Sequence, residues 1–262
     1  MLFTALTAVA VGVPIASGRP PRQAKGAATE PERPANPCLG PHRSEFRCPD
    51  LRMGRPSDLY AERTPHGRVL LRATNNVNSR GRGPVMLRGR RTGRDEMSAR
   101  QHIYRHDGSR LVIRTGAELY FKYIPGQGHY WKMERAARFE LWSLDDTGHR
   151  DRLVRSGPKV YYCLRDLKRT RPSRRSPRQR VFPGCNKDAG KKSVTLGTSV
   201  GWSDVYPSTY HEQWIDVTGL HGCFAYVHRA DPDNHIFESN EGNNDSQRIV
   251  RLPWGRSHKR CR

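Results

Sequence analysis

Acidic residues are scarce in this chain. Over 262 residues, 25 Asp and Glu face 47 Lys and Arg, for a formal net charge of +22. After the amino terminus no apolar run approaches membrane-spanning length, which removes polytopic membrane proteins. No segment sustains a 3.6-residue apolar period over three turns, except weakly around residues 134–144, so helical and doubly wound folds lose their main signal. The six cysteines never form a Cys-x-x-Cys pair, which disfavours a thiolate zinc site. No two of the eleven histidines are closer than four positions, so there is no His-x-His ligand set, and the absence of Gly-x-Ser-x-Gly leaves a triad hydrolase without support. Lysine is rare too: 9 of the 47 basic residues are Lys.

What is present points to a folded, exported β-protein. Residues 1–18 read as a signal peptide, with an apolar stretch through Ala16 followed by Ser17 and Gly18. Residues 19–47 are Pro-rich without apolar periodicity and read as a disordered linker, and the folded domain is expected over 48–254, followed by a basic tail at 255–262. Within that domain the apolar residues come in short β-branched and aromatic runs, such as Arg68-Val-Leu-Leu-Arg-Ala73, Ala117-Glu-Leu-Tyr-Phe-Lys-Tyr123 and Cys223-Phe-Ala-Tyr-Val-His228, separated by Gly, Asn, Asp and Pro. The expected fold is mainly β, an antiparallel β-sandwich with long loops and little helix. His106-Asp-Gly-Ser109 is a hairpin signal in which Asp-Gly supplies positive φ angles. Six cysteines permit 15 connectivities, and an even number suits disulfides in an oxidising compartment. The expected pairing is local: Cys38 with Cys48, Cys163 with Cys185, Cys223 with Cys261.

Charge concentrates in residues 165–192, where eleven Lys or Arg accompany Asp166 and Asp188. So many like charges cannot be buried without partners, so this is an exposed loop. An anionic polymer could bind through residues 171–180, which include Arg171, Arg174, Arg175, Arg178 and Arg180; the plain alternative is an arginine-biased solvated loop. Nucleic acid is disfavoured, because the loop lacks interleaved aromatics for base stacking and the chain lacks a helical reading element. Once the signal is cleaved, no membrane association is expected.

Several segments together resemble the lysyl oxidase family. Gly157-Pro-Lys-Val-Tyr-Tyr-Cys-Leu-Arg-Asp166 is similar to the family's Gly-His-Lys-Ala-Ser-Phe-Cys-Leu-Glu-Asp. The stretch Gly201 to Thr218 ends in Gln213-Trp-Ile-Asp-Val-Thr218, like the family's Gln-Trp-Ile-Asp block, and Glu238-Ser-Asn-Glu-Gly-Asn-Asn244 resembles its Glu-Ser-Asp-x-x-Asn-Asn turn. Cys48-Pro-Asp-Leu51 and Arg68-Val-Leu-Leu-Arg72 also match, so the likeness runs from Cys48 to Leu252.

The resemblance implies a secreted enzyme with a cofactor made from its own side chains. In the family, copper and dioxygen oxidise a tyrosine, a lysine amine adds to the ring, and the resulting lysine tyrosylquinone converts peptidyl-lysine or other primary amines to aldehydes with release of hydrogen peroxide. By position, Tyr206 corresponds to the quinone-forming tyrosine and Lys159 to the cross-linking lysine. Without the resemblance, Lys159 reads as an exposed strand-end lysine and Tyr206 as a ring packed on Pro207 and Trp202. The copper motif departs from the pattern, because Pro125-Gly-Gln-Gly-His-Tyr-Trp-Lys-Met-Glu-Arg-Ala-Ala-Arg-Phe-Glu-Leu141 keeps the family's flanks without its histidine series. Counted from Pro-Gly, the ligand positions hold Gln127, His129 and Trp131; counted from Ala-Arg-Phe, they hold Gly128, Tyr130 and Lys132. His129 is the one surviving ligand in the first register, joined if at all by His211 or by His102 and His106. A single imidazole cannot hold copper(II). The resemblance also places a calcium site near Asp50 and the turn bearing Glu238, Asn240, Glu241, Asn243, Asn244 and Asp245, whose plain reading is an Asn-rich turn. Two functions follow: a copper-dependent amine oxidase acting on a primary amine or a lysine-containing protein, or a catalytically silent extracellular module that binds polyanions or proteins.

Overall fold

The computed structural model describes residues 33–255 and Cys261. The expected signal peptide, residues 19–32 of the Pro-rich segment and most of the basic tail lie outside the described residues. Among those described there are seventeen strands and, as helix, one 3-10 turn at Arg43–Glu45. Every ladder is antiparallel. The mainly β, antiparallel architecture expected from the sequence is the one found.

Three sheets make up the fold. The first runs β11 (Tyr161–Tyr162), β8 (Gly128–Glu134), β7 (Arg110–Ile124), β6 (Glu96–Arg105), β5 (Val85–Arg91), β13 (Ser193–Thr198), with β1 (Phe46–Arg47) added to β6. The second runs β10 (Arg150–Ser156), β9 (Ala137–Leu144), β16 (Gly222–Ala230), β17 (Asp245–Leu252). The third is built around β4 (Val69–Ser79), with β12 (Lys168–Arg169), β14 (Trp202–Tyr206) and β15 (Trp214–Asp216), and with β2 (Leu51–Met53) and β3 (Ser57–Arg63) also paired to β4.

Strand β4 ties the two main cores together. Its Val77 joins Leu87, Leu119, Trp131, Met133 and Leu196 of the seven-stranded sheet. Its Leu71 and Ala73 pack instead with Phe139, Leu141, Phe224 and Tyr226 of the four-stranded sheet. Each fully buried side chain of this size contributes about 1.5–3 kcal/mol by leaving water, so β4 holds its place by contacts on both halves.

Local chemistry explains where the strands differ from the runs read in the sequence. The two runs at 111–113 and 117–123 are one strand, β7, which passes through a bulge at residues 115–117 opposite Ala99 of β6, where the Thr115 hydroxyl donates to Ala99 O at 3.1 Å. The weak helical period at 134–144 folds as β9, whose Phe139 and Leu141 face the core while Arg138 reaches the surface. The edge strand β10, sequence Arg-Asp-Arg-Leu-Val-Arg-Ser, has too little apolar character to announce itself. The 106–109 turn is a hairpin as expected, but Gly108 alone has positive φ, +88°. Asp107 stays in the ordinary region and its carboxylate accepts the Ser109 N–H at 2.8 Å.

The three disulfides are Cys38–Cys48, Cys163–Cys185 and Cys223–Cys261, the local pairing expected from the sequence. The first fastens a segment that packs upstream of Cys48. Cys38 and Phe46 form a small cluster with Ile103 and Phe237, and Asn36 Nδ2 donates to Glu238 O at 3.0 Å.

The basic stretch is an exposed loop, and one buried carboxylate pins it. Asp166 accepts hydrogen bonds from the Val181 and Phe182 N–H groups (2.9 and 3.1 Å) and from the Ser199 N–H and hydroxyl (2.7 and 2.8 Å). Trp202 Nε1 donates to Pro177 O at 3.1 Å from the other side. Asp166→Ala strands three backbone donors, and a loss of about 3 kcal/mol is expected. Urea unfolding should show the lower midpoint, and trypsin should cut faster within residues 171–180 of the folded variant.

Candidate functional site

Lys159 and Tyr206 are brought together. Gly157 sets the approach: its N–H donates to Phe139 O at 3.0 Å, and a Cβ there would lie 2.6 Å from Trp214 O, so only glycine lets the chain run this close. Two residues on, Lys159 turns inward and is 1% exposed, which corrects its reading as a surface strand-end lysine. Tyr206 ends β14, paired with Asn75 of β4, and is also buried.

The lysine amine sits among three phenol rings. Lys159 Nζ lies 4.4 Å from the Tyr206 ring centroid and 4.5 Å from those of Tyr162 and Tyr210. Tyr206 meets the other two edge to face, each with centroids 5.0 Å apart. These interplanar angles, 84° and 78°, turn ring faces toward the amine. Ring faces favour an ammonium, whereas loss of water disfavours it. Burial wins, and with Lys132 nearby it brings the Lys159 pKa down to about 7. The Tyr206 hydroxyl accepts the Cys163 N–H at 3.1 Å, and burial pushes its pKa well up.

Two further charged groups complete the site. Asp204, two residues before Tyr206 on β14, is fully buried with Arg165 Nε 3.7 Å away. Burial raises its pKa to about 7 against the pull of Arg165 and the two lysines. Lys132 Nζ donates to the Tyr210 hydroxyl at 3.4 Å, and that hydroxyl donates to Gln127 Oε1 at 3.1 Å. Burial lowers the Lys132 pKa to about 8. Sequence reasoning did not single out Tyr162, Asp204 or Tyr210. The available signal was spacing: Asp204 shares a strand face with Tyr206, and Tyr210 follows one turn later.

The strand β8 decides between the two copper registers. Alternate residues of a strand face opposite ways, so Tyr130 and Lys132 share one face and His129 and Trp131 the other. Lys132 reaches the tyrosine cage. His129 is exposed; its ring stacks on Phe121 and tilts against Tyr123, with centroids 5.2 and 5.1 Å apart. The register that faces the cage is therefore Gly128, Tyr130 and Lys132. A glycine, a phenol and an ammonium do not fit copper(II), which requires several neutral imidazoles in a tetragonal set; Lys132 also adds positive charge where a dication would sit. His102 lies on β6, His106 in the hairpin turn, and His211 beside Glu212, its Nε2 3.5 Å from Glu212 Oε1. Among the described residues, no three His, Cys, Asp or Glu ligand atoms converge beside Tyr206.

One such convergence exists elsewhere, formed by Asp231, Glu238 and Glu241, with ligand atoms all within 4.8 Å of one another. Glu238 takes hydrogen bonds from the Leu51 N–H and from Asn244 Nδ2. Asp50 Oδ1, Glu241 Oε2, Asn243 Oδ1 and Asn244 Oδ1 are buried nearby without partners. Burial and mutual repulsion raise the pKa values of Glu238, Glu241 and Asp231. This oxygen-only donor set fits a hard cation such as calcium. Two residues of the sequence-derived set stand apart: Asn240 caps its own turn through the Gly242 N–H, and Asp245 pairs with Arg150 and Arg229. Asp231 was missed because it lies outside the turn in sequence.

The caged amine has a pH signature. Its folded pKa is below the ordinary 10.5, so between about pH 7 and 10.5 the unfolded chain holds a proton that the folded chain lacks. This group therefore makes stability fall as pH drops through that window and level off below it. Nitrogen-15 spectra of labelled lysine should show one amine titrating near pH 7, absent in Lys159→Met, whose stability should depend less on pH over the same window.

Comparison with known proteins agrees with this architecture. The family model described as lysyl oxidase matches residues 112–252, just over half of the chain, and covers Lys159, Lys132 and Tyr206. A search of curated proteins found no match. With the matched segments folding around an adjacent lysine and tyrosine, this chain belongs to the lysyl oxidase family.

Proposed function

We propose that this family member is catalytically silent toward amines and works outside the cell as a binding module for anionic polymers. One observation carries the loss of oxidation: the Lys132 amine, 3.4 Å from the Tyr210 hydroxyl, stands on the strand face where the copper imidazoles belong. The family's reaction starts with copper oxidising the tyrosine. Without that metal Tyr206 stays a phenol, and Lys159 serves as the packed centre of an aromatic cage. Support for the binding role comes from surface charge. Arg171, Arg174, Arg175, Arg178 and Arg180 are exposed in the loop pinned by Asp166. Three disulfides suit an oxidising compartment, and among the described residues no helix is long and apolar enough to cross a membrane.

One observation favours the competing reading, an amine oxidase acting on primary amines or lysine side chains: the 4.4 Å between the Lys159 amine and the Tyr206 ring. Copper loading separates the two. After dialysis against copper(II) the protein is expected to retain no stoichiometric metal, to develop no quinone absorbance and to release no peroxide with a diamine. Tyr130→His combined with Lys132→His should gain copper retention; Gly128 is left alone because its φ of +88° resists a side chain. A quinone band in the copper-treated wild type would overturn the silent reading.

The acidic cradle is assigned a structural calcium. Asp50, Glu238, Glu241, Asn243, Asn244 and Asp231 would hold it, relieving carboxylate repulsion and joining the turn to β2. Calcium should raise the melting temperature by mass action, and Glu238→Gln should abolish the rise; a calcium-independent Tm would remove the assignment.

A further inference from the structure

The binding-module reading leaves open which surface carries the ligand. Resting on that reading, we infer that the outer face of β5, β6 and β7 is a docking track for a linear sulfated polysaccharide, centred on a transverse row of Arg88, Arg100 and Arg114.

The row is set by strand register. Arg88 pairs directly with Arg100, and Arg100 directly with Arg114. All three side chains are exposed, while Leu87 and Gln101 on the opposite face are buried. Directly opposed cross-strand residues have Cβ atoms about 5 Å apart, where like charges destabilise a sheet. None of the three forms an ion pair among the described residues; the one side-chain hydrogen bond of the row joins Arg88 Nε to Ser193 Oγ at 3.2 Å. The acids of these strands, Glu96 and Glu118, lie beyond the bulge after Ser98, with Glu118 opposite Ser98 and bound by the Tyr120 hydroxyl. Three unshielded guanidinium groups thus stand side by side, each able to grip a sulfate oxygen pair through its donor fork.

The charge continues along the strands. Two positions from the Arg100 and Arg114 pair, Val112 faces His102; two further, Arg110 faces Tyr104, its guanidinium 5.8 Å from the ring centroid. The buried His102 imidazole is held below its ordinary pKa by burial and then by Arg110 and Arg88. Tyr104 then lines a groove of about 550 Å³ shared with Arg47, Arg82, Arg174, Arg175 and His106. The sheet row and the loop arginines therefore belong to one continuous basic face. The central row carries no aromatic side chain on which bases could stack, so charge spacing alone is available for recognition, which suits a sulfated glycan better than a single-stranded nucleic acid.

Heparin is the probe, titrated against the full chain at several salt concentrations. Arg88→Thr, Arg100→Thr and Arg114→Thr together should weaken heparin binding about 10-fold or more and lower the log–log salt slope by about 2 to 3. The variant should keep or raise its Tm, because threonine suits strands and the opposed like charges are gone. A charge-matched control, Arg55→Thr with Arg152→Thr and Arg155→Thr, should change affinity less than about 3-fold. Equal losses in the two triple variants would reduce binding to net charge and overturn the track. Binding lost in Arg174→Ser, Arg175→Ser and Arg178→Ser but intact in the row variant would also overturn it, leaving the binding-module reading in place. Duplex DNA that competes as tightly as heparin would overturn the glycan assignment, and a wild-type chain indifferent to heparin at low salt would sink the module reading itself.

Discussion

Exclusion of water from one amine organises the centre of this protein. Lys159 is held by phenol rings from three different segments, and each ring needs the amine to fill the space between them. Tyr162 comes from the edge of the first sheet, Tyr206 from the third, Tyr210 from the loop that leads to β15. The cage is therefore also the joint between sheets. Lys159 is thus a packing element whose place between the rings holds independently of any metal.

Which residues of β8 meet the cage is a matter of strand parity. A metal bound from a strand needs donors at alternate positions, and a one-residue difference in register moves every donor to the wrong face. His129 lies on the face of β8 turned away from the cage. Its ring packs on Phe121, while Lys132 takes the inward place and hydrogen-bonds to the cage. The positive charges of Lys132 and Lys159 are tolerated together because burial lowers both amines toward neutrality and the buried Asp204 carboxyl attracts both.

Six acids of this chain are buried and serve the interior. Asp166 anchors the basic loop, Glu140 is fully buried and accepts from Arg138 and Trp142, Asp204 serves the cage, and Asp50, Asp231 and Glu238 gather at the oxygen cradle. With few acids to begin with, this leaves rows of surface arginines without counter-ions.

The sequence by itself determined the β class, the three local disulfides and the exposed basic loop, and it singled out Lys159 and Tyr206, which the fold brings together. Short alternating runs, Gly and Asp turns and near-neighbour cysteines are local signals, and the Gln-Trp-Ile-Asp block is a specific one. It left unseen the polar edge strand β10, because edge pairing needs little apolar character, and the joining of two runs into β7 through a bulge. Tertiary structure alone decided which face of β8 meets the cage, that Tyr162, Tyr210 and Asp204 close around Lys159, and that Asp231 joins Glu238. Those facts depend on residues far apart in the chain meeting across sheets, and both copper registers were compatible with the letters until the ladder between β7 and β8 gave each side chain a direction.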